Sequence, residues 1–337
     1  MNTVIKVQGL CKTFQVRQTI PKLQGTFQGL FRRQTLNMPA IENLSFEIEA
    51  GQRVAFIGPN GAGKSTTIKM LTGILHPSSG VIEVLGLVPS EQRQILGFRI
   101  GTVFGQRTQL WYHLPPSDTF ALLSTIYELK PADYQKRLRH LIELFDIVPL
   151  LYKPVRQLSL GERMRCEIVA SLLHRPDILF LDEPTIGLDI NAKLKIRTLL
   201  NQLCQDYGTT LFLTSHDTAD IEQVCNRVLV LDKGHIVLDS SVKELKKTYI
   251  KKKIITLTTD EEHCTLALPG LKMLENTPYH VKYELDLEQS SMEQLMQKIL
   301  QSTTIKDLTL EDPSMEEIIQ TVYQRMGHPA PDIEHHA

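Results

Sequence analysis

The run Gly58-Pro59-Asn60-Gly61-Ala62-Gly63-Lys64-Ser65-Thr66 fits the pattern G-x-x-x-x-G-K-[ST] without a mismatch. Such a run has one productive setting, the turn between a buried strand and the N-terminus of a helix. Glycines there leave backbone N–H groups free to point inward around phosphate oxygens, with no Cβ to block the approach. The flanks agree. Arg53-Val54-Ala55-Phe56-Ile57 reads as a short buried strand, and Thr66 to Leu71 continues as a helix whose N-terminal dipole faces an anion. The expected ligand is a nucleoside triphosphate, with Lys64 reaching the β- and γ-phosphates and Ser65 completing a Mg²⁺ shell.

The chain has 337 residues, enough for one large domain and a smaller one. An apolar share of 42% suits a globular protein with a sizeable core. A net charge of −1 gives no global attraction to nucleic acid, so none is expected as a partner. Apolar runs such as Ile178-Leu179-Phe180-Leu181 are strand-sized, far short of a membrane span. The start, Met1-Asn2-Thr3-Val4-Ile5-Lys6, lacks the pattern of a secretory signal. Five dispersed cysteines without a C-x-x-C pair suit reduced thiols better than disulfides or zinc. The expected location is the cytoplasm, unless a partner holds the chain at a membrane.

Thr3–Gln8 and Ile41–Glu49 read as strands, and residues 15–39 break the pattern with glutamines, prolines and glycines. Pro77-Ser78-Ser79-Gly80 predicts a hairpin, with Val81–Val84 as its returning strand. Helical periodicity covers Ser117 to about Leu151, and a further helix begins near Ser159. Ile178–Leu181, Thr210–Leu213 and Val228–Leu231 are continuous apolar runs, as in strands covered on both faces, alternating with helices near Ile190–Leu203 and Thr218–Cys225. The fold class is therefore α/β, a helix-covered sheet with a helical insertion at about 106–172. A domain over 1–245 is expected to end near the basic stretch Lys246–Lys253. A small α/β domain over 246–326 follows, with strands at 253–257, 280–287 and 305–310 and helices at 292–300 and 315–323. A disordered tail is expected over 327–337.

Two acids end the buried run Phe180-Leu181-Asp182-Glu183. Asp182 is placed to hold Mg²⁺, and Glu183 to orient and deprotonate a water, although acids at a strand end also serve as caps. Ser159-x-x-Glu162 is a capping box, and with Gly161 the capped tip is also an anion site.

The order of these motifs resembles the nucleotide-binding subunit of an ATP-binding-cassette (ABC) transporter. It runs through the phosphate loop, Gln106, Leu158-Ser159-Leu160-Gly161-Glu162, Asp182-Glu183, Gly187-Leu188-Asp189 and His216, over roughly residues 3 to 240. The resemblance implies an ABC-type ATPase core with an N-terminal antiparallel β subdomain and a helical subdomain. It implies that Gln106 touches Mg²⁺ and the water, that His216 contacts the γ-phosphate, and that Asp189 lies at a dimer seam. Phe14 stands where the family stacks an aromatic on adenine, and Phe27 or Phe31 offers the same ring chemistry. In this family ATP is shared, with the phosphate loop of one subunit facing the serine-glycine helix of another. One loop and one such helix in this chain imply a homodimer. Leu160 and Glu162 depart from the family's usual Leu-Ser-Gly-Gly-Gln, while Gly161 is retained.

The divergent pentapeptide and Phe104-Gly105-Gln106-Arg107-Thr108-Gln109-Leu110-Trp111 are similar to the bacterial branch that pairs with separate ABC-2-type membrane subunits, usually for export. So are the 15–39 insertion and the ending Ser314-Met315-Glu316-Glu317. The resemblance thus implies a protein peripheral at the inner face of the cell membrane. Trp111-Tyr112-His113-Leu114 is then a docking candidate, with core packing of Trp111 as the alternative. Leu23, Phe27, Leu30 and Phe31, beside Lys22, Arg32 and Arg33, form a basic amphipathic stretch suited to lipid headgroups, a membrane subunit or a surface flap. Two functions follow: an ATPase driving transport, or a soluble ABC ATPase acting on a ribosome, nucleic acid or protein assembly. The second class commonly carries tandem halves, coiled coils or zinc modules, which this sequence lacks.

Overall fold

A computed structural model describes residues 2–19, 33–105, 108–249, 252–262 and 265–325. Two units divide the chain after Ser241. In the first, the elements in order are β1 (Thr3–Thr19), β2 (Arg33–Glu49), β3 (Arg53–Ile57), α1 (Lys64–Leu71), β4 (Ser79–Val84), α2 (Arg93–Gly97), β5 (Ile100–Phe104), α3 (Pro116–Ile126), α4 (Pro131–Leu144), α5 (Leu160–Leu172), β6 (Ile178–Asp182), α6 (Ile190–Tyr207), β7 (Thr210–Thr214), α7 (Thr218–Val224), β8 (Arg227–Asp232) and β9 (His235–Ser241). In the second they are α8 (Val242–Tyr249), β10 (Lys252–Thr259), β11 (Leu271–Thr277), β12 (His280–Asp286), α9 (Met292–Ser302), β13 (Ile305–Glu311) and α10 (Met315–Arg325).

Among the described residues, the strand order of the main sheet is β5-β6-β7-β3-β8-β9. All its pairs are parallel except β8–β9. Phe180, Phe212 and the run Val54–Ile57 are buried because helices or a second sheet cover both faces, which explains why these strands read as continuous apolar runs. Strand β3 lies between β7 on one side and β8 on the other, parallel to both. The loops after β3, β6 and β7 therefore open at the carboxyl edge of the sheet, where open α/β sheets bind ligands.

A smaller antiparallel sheet, β2-β1-β4, packs its apolar face on the main one. Ile5, Val7, Leu10, Leu44 and Ile48 share one core with Phe56, Phe180 and Phe212. At its centre the Phe212 ring lies 5.2 Å from Phe56, 5.7 Å from Phe180 and 6.2 Å from Phe46. Helices α3 and α4 each open on a proline, whose missing N–H is no loss in the first turn.

The arrangement revises two expectations. Residues 15–19 and 33–39 do not break the strands. They prolong β1 and β2 into a two-stranded arm, in register from Gln15↔Asn37 to Thr19↔Arg33. Leu23, Phe27, Leu30 and Phe31 lie outside the described residues, as does the tail from 326. The predicted hairpin at Pro77–Gly80 is absent. The chain only bends at Ser78, and Gly80, at φ 91°, already lies in β4, which finds its partner far away in β1, Ile5 opposite Val84. Local turn signals name a reversal without naming the strand that receives it. Elements α2, β5, β9 and β11 carry too little periodicity to have been expected.

In the second unit, β11-β12-β10-β13 form an antiparallel sheet. Ile255, Leu257, Val281, Tyr283 and Leu285 face Leu295 and Ile299 of α9. Helix α10 packs on α8, burying Met315, Ile318 and Val322 with Val242 and Leu245. Lys252 is paired with Glu284, 2.7 Å away, and Lys253 with Asp312, so this part of the lysine run is neutralised within its own unit.

Replacing Phe212 with alanine removes the ring on which three others converge. The expected cost is about 3–5 kcal/mol, read as an earlier urea midpoint for the transition that carries the tryptophan signal of Trp111.

Candidate functional site

The phosphate loop leaves β3 at Ile57 and enters α1 at Lys64. Gly63 sits at φ 107°, and a Cβ there would lie 2.3 Å from Ile41 Cδ1 and 2.7 Å from the Ala40 carbonyl. No other residue fits both the left-handed backbone and that space. The loop is tied down behind by the Gly234 N–H, which donates to the Ala62 carbonyl at 3.2 Å.

Lys64 is 6% exposed. Its ammonium donates to the Gly58 carbonyl at 2.7 Å, with the Pro59 carbonyl at 3.3 Å and His216 Nε2 at 3.1 Å. Burial lowers its pKa, while Glu183 and Asp182 oppose that shift. Beside it, Ser65 Oγ donates to Asp182 Oδ1 at 3.2 Å, and Thr214 Oγ1 donates to the same oxygen at 2.6 Å. The start of α1, the end of β6 and the end of β7 thus meet on one carboxylate.

Glu183 follows directly and adopts φ 54°, an uncommon backbone for a residue with a side chain. Its N–H donates to both the carbonyl and the hydroxyl of Thr214, at 3.0 and 3.1 Å. Strain of this kind persists where neighbours over-determine the backbone, and it gathers at functional sites. Glu183 Oε1 lies 2.9 Å from His216 Nε2. Both Lys64 and Glu183 approach that one ring nitrogen, which cannot accept from one and donate to the other. A carboxylate only accepts, so Nε2–H is assigned as donor to Glu183, and the Lys64 donors are directed to their own loop. The hydrogen bond from His216 holds Glu183 below its ordinary 4.5, against the push of burial and with help from the Lys64 charge.

Ser159, Gly161, Glu162 and Asp189 gather elsewhere. The Glu162 N–H donates to Ser159 Oγ at 3.2 Å, and the Ser159 N–H donates to Glu162 Oε2 at 2.8 Å, closing the capping box of α5. Asp189 caps α6 by accepting from the Ala192 N–H at 2.9 Å. A Cβ on Gly161 would stand 2.8 Å from Ala192 Cβ, so the glycine is needed for contact between α5 and α6. Among the described residues, none of these four bonds to Lys64, Asp182, Glu183 or His216.

Phe14 lies on β1 opposite Met38 and is 37% exposed, with the Lys12 ammonium 5.3 Å from its ring centre. Asn60 is exposed, Ala62 buried and Thr66 between the two. Gln106 lies outside the described residues. Just beyond it, Thr108 Oγ1 and the Gln109 N–H donate to the buried carboxylate of Glu167 on α5, whose pKa burial raises. Trp111, Tyr112 and Leu114 are exposed and not in the core. Their backbone is held to the chain before α5, the Tyr112 and Leu114 carbonyls accepting from the Arg156 and Val155 N–H groups.

Sequence reasoning missed Thr214, Glu167, and a buried group formed by Asp220, Arg197, Thr185 and Ser215. Asp220 meets its partners across 35 residues to Thr185 and 23 to Arg197. No local spacing encodes such a contact.

A model of the ABC transporter family matches residues 41–186. A second, the C-terminal domain of ATP-binding proteins like DrrA1-3, matches 241–322. The chain is 32% identical over 206 residues to the ABC transporter ATP-binding protein NatA of Bacillus subtilis (strain 168), covering 61% of this chain and 83% of NatA. It is 33% identical over 207 residues to the daunorubicin resistance ATP-binding protein DrrA3 of Streptomyces coeruleorubidus, covering 61% and 65%. Its fold is that of the ATP-binding cassette MJ0796, solved as a dimer in a post-hydrolysis state with ADP and Pi. The TM-score is 0.58 at 23% identity, covering 71% of this chain and 98% of that one.

The stability contributed by the depressed Glu183 pKa is fully present above the ordinary value of 4.5 and is lost as pH falls through the lower folded value. The gap in unfolding free energy between wild type and His216→Ala is therefore expected to be widest above pH 4.5 and to shrink in acid. Urea titrations across pH 2.5–7 check it, and a gap that widens in acid contradicts the assigned hydrogen bond.

Proposed function

Since the chain belongs to the ABC transporter ATP-binding proteins, of the DrrA and NatA type, we propose that two copies of it hydrolyse MgATP between them. Hydrolysis drives export through separate ABC-2-type membrane subunits. The observation that carries this reading is the gathering of Lys64, Ser65, Asp182, Glu183 and His216 at the ends of β3, β6 and β7.

The residues suit the ligands. N–H groups of a glycine-rich turn at a helix N-terminus favour phosphate oxygens, and Lys64 adds a charge held close to them. Ser65 and Asp182 supply hard oxygens 3.2 Å apart, the donor type Mg²⁺ takes, with Gln106 as a further ligand. When bound, that ion neutralises charge on the phosphate oxygens. Phe14 offers its exposed ring to adenine.

Glu183 orients the attacking water and takes its proton as the water oxygen bonds the γ-phosphorus and the bond to the β-phosphate bridge breaks. While His216 donates to it, the carboxylate is ionised but a weak base. When His216 turns to the γ-phosphate, that donor leaves and Glu183 becomes more basic, nearer the matched value that proton transfer favours. One side chain thus reports the triphosphate and readies the base.

The second copy supplies the α5 tip. In its capping box Ser159 uses an oxygen lone pair and keeps its hydroxyl proton for a phosphate of the facing site. The dimeric state reported for the MJ0796 cassette supports this arrangement, and the resistance role in the name of DrrA3 supports export. No helix among the described residues is long and apolar enough to cross a membrane. The exposed Trp111 and Leu114 are where the membrane subunits dock, placing the protein at the inner face of the cell membrane.

Glu183→Gln is expected to bind ATP as wild type does, to hydrolyse it on the order of 10²–10⁴-fold more slowly, and to accumulate as a dimer on ATP. Light scattering and phosphate release test both, and normal turnover would remove Glu183 from this role. Lys64→Ala should lose binding of labelled ATP. Trp111→Ala with Leu114→Ala should keep basal hydrolysis while the protein no longer sediments with native membranes. Unchanged sedimentation places docking elsewhere.

A further inference from the structure

We propose that Asp220 is a positioning residue of the hydrolytic site, one buried carboxylate that holds the Glu183 loop and the His216 loop against helix α6. The inference rests on the reading above and adds to it the group that keeps base and histidine in register.

Asp220, on α7, is 1% exposed. Its Oδ2 accepts from Thr185 Oγ1 and from Ser215 Oγ, each at 2.6 Å, and its Oδ1 accepts from Arg197 Nε at 2.5 Å. Thr185 stands two residues after Glu183, and Ser215 immediately precedes His216. Arg197, itself buried, comes from α6, and its Nη2 lies 2.7 Å from Asp217 Oδ2, which Lys193 also reaches at 2.9 Å.

Charge balance needs only Arg197. The two hydroxyls are extra, and they come from the two loops that carry the reactive groups. Ser215 shows how tight the setting is. Its proton goes to Asp220, which leaves its oxygen to accept the Asp217 N–H at 2.9 Å, and His216 is bracketed between two bonded neighbours. Glu183 is bracketed likewise. Thr214 grips its N–H on one side, and Thr185 is fastened to Asp220 on the other. A residue held at φ 54° needs restraint from both directions to stay there. Neither loop can shift without leaving a buried carboxylate short of a donor, which is costly.

The experiment measures steady-state hydrolysis by the purified full-length protein against MgATP concentration, for Thr185→Val, Ser215→Ala, their double variant and Asp220→Asn. Each single change is expected to lower kcat on the order of 10–10²-fold, as small misplacements of reacting groups do, with KM within about 2-fold. The double variant should lose less than the product of the singles, since both hydroxyls serve one node. Thr185→Ser, which keeps the hydroxyl, should recover most of the rate. Wild-type kcat in Thr185→Val and Ser215→Ala overturns the inference, as do fully multiplicative losses. If Asp220→Asn does not fold, the two hydroxyl variants still decide. Glu183→Gln separates the premises: inactive Glu183→Gln beside fully active hydroxyl variants sinks only this inference, whereas active Glu183→Gln sinks the reading beneath it.

Discussion

Asp182 sits where three pieces of chain have to agree. Its Oδ1 takes hydrogen bonds from Ser65, after the phosphate loop, and from Thr214, at the end of β7. Its own backbone carbonyl takes the Gly105 N–H at the end of β5. Parallel pairing makes this possible, because β3, β6 and β7 all finish on the same edge of the sheet. The residues of the site then need no long loops to meet. Phe212 and Phe180, one strand apart in the core below, fix the register of the same two strands. A stable core and a preorganised site are the same construction seen at two heights.

Much of this was legible because the relevant signals are short-range. The G-x-x-x-x-G-K-[ST] run dictates a strand, a turn and a helix within a few residues, and the structure has them as β3, the loop and α1. The capping box at Ser159–Glu162 is equally local, and it closes as read. What escaped is nonlocal. The partner of β4 is β1, and the bend before it cannot say so. Thr214 closes an apolar strand and Asp220 lies among other polar residues, and their meaning appears only when strands and helices are laid side by side. The arm formed by β1 and β2 escaped for another reason: glutamines and prolines mask a pairing that depends on backbone hydrogen bonds more than on side chains.

The second unit shows the same division between local and distant information. Helix α9 was legible from its apolar spacing and opens on the capping box Ser291–Gln294. Strand β11 was not, since nearly all of it is exposed and it lacks alternation. Lysines 252 and 253 belong in one dimension to the basic stretch that marks the domain boundary. Folded, they meet Glu284 and Asp312, and sequence proximity of like charges turns out to say little about the surface they make.

The absence of a side chain at Gly161 has a mechanical meaning. With Ala192 packed into that gap and the Leu160 methyl group in contact range of Gly187, the starts of α5 and α6 have no slack between them. A side chain larger than hydrogen at 161 would have to part them, and with them the neighbouring caps Ser159 and Asp189.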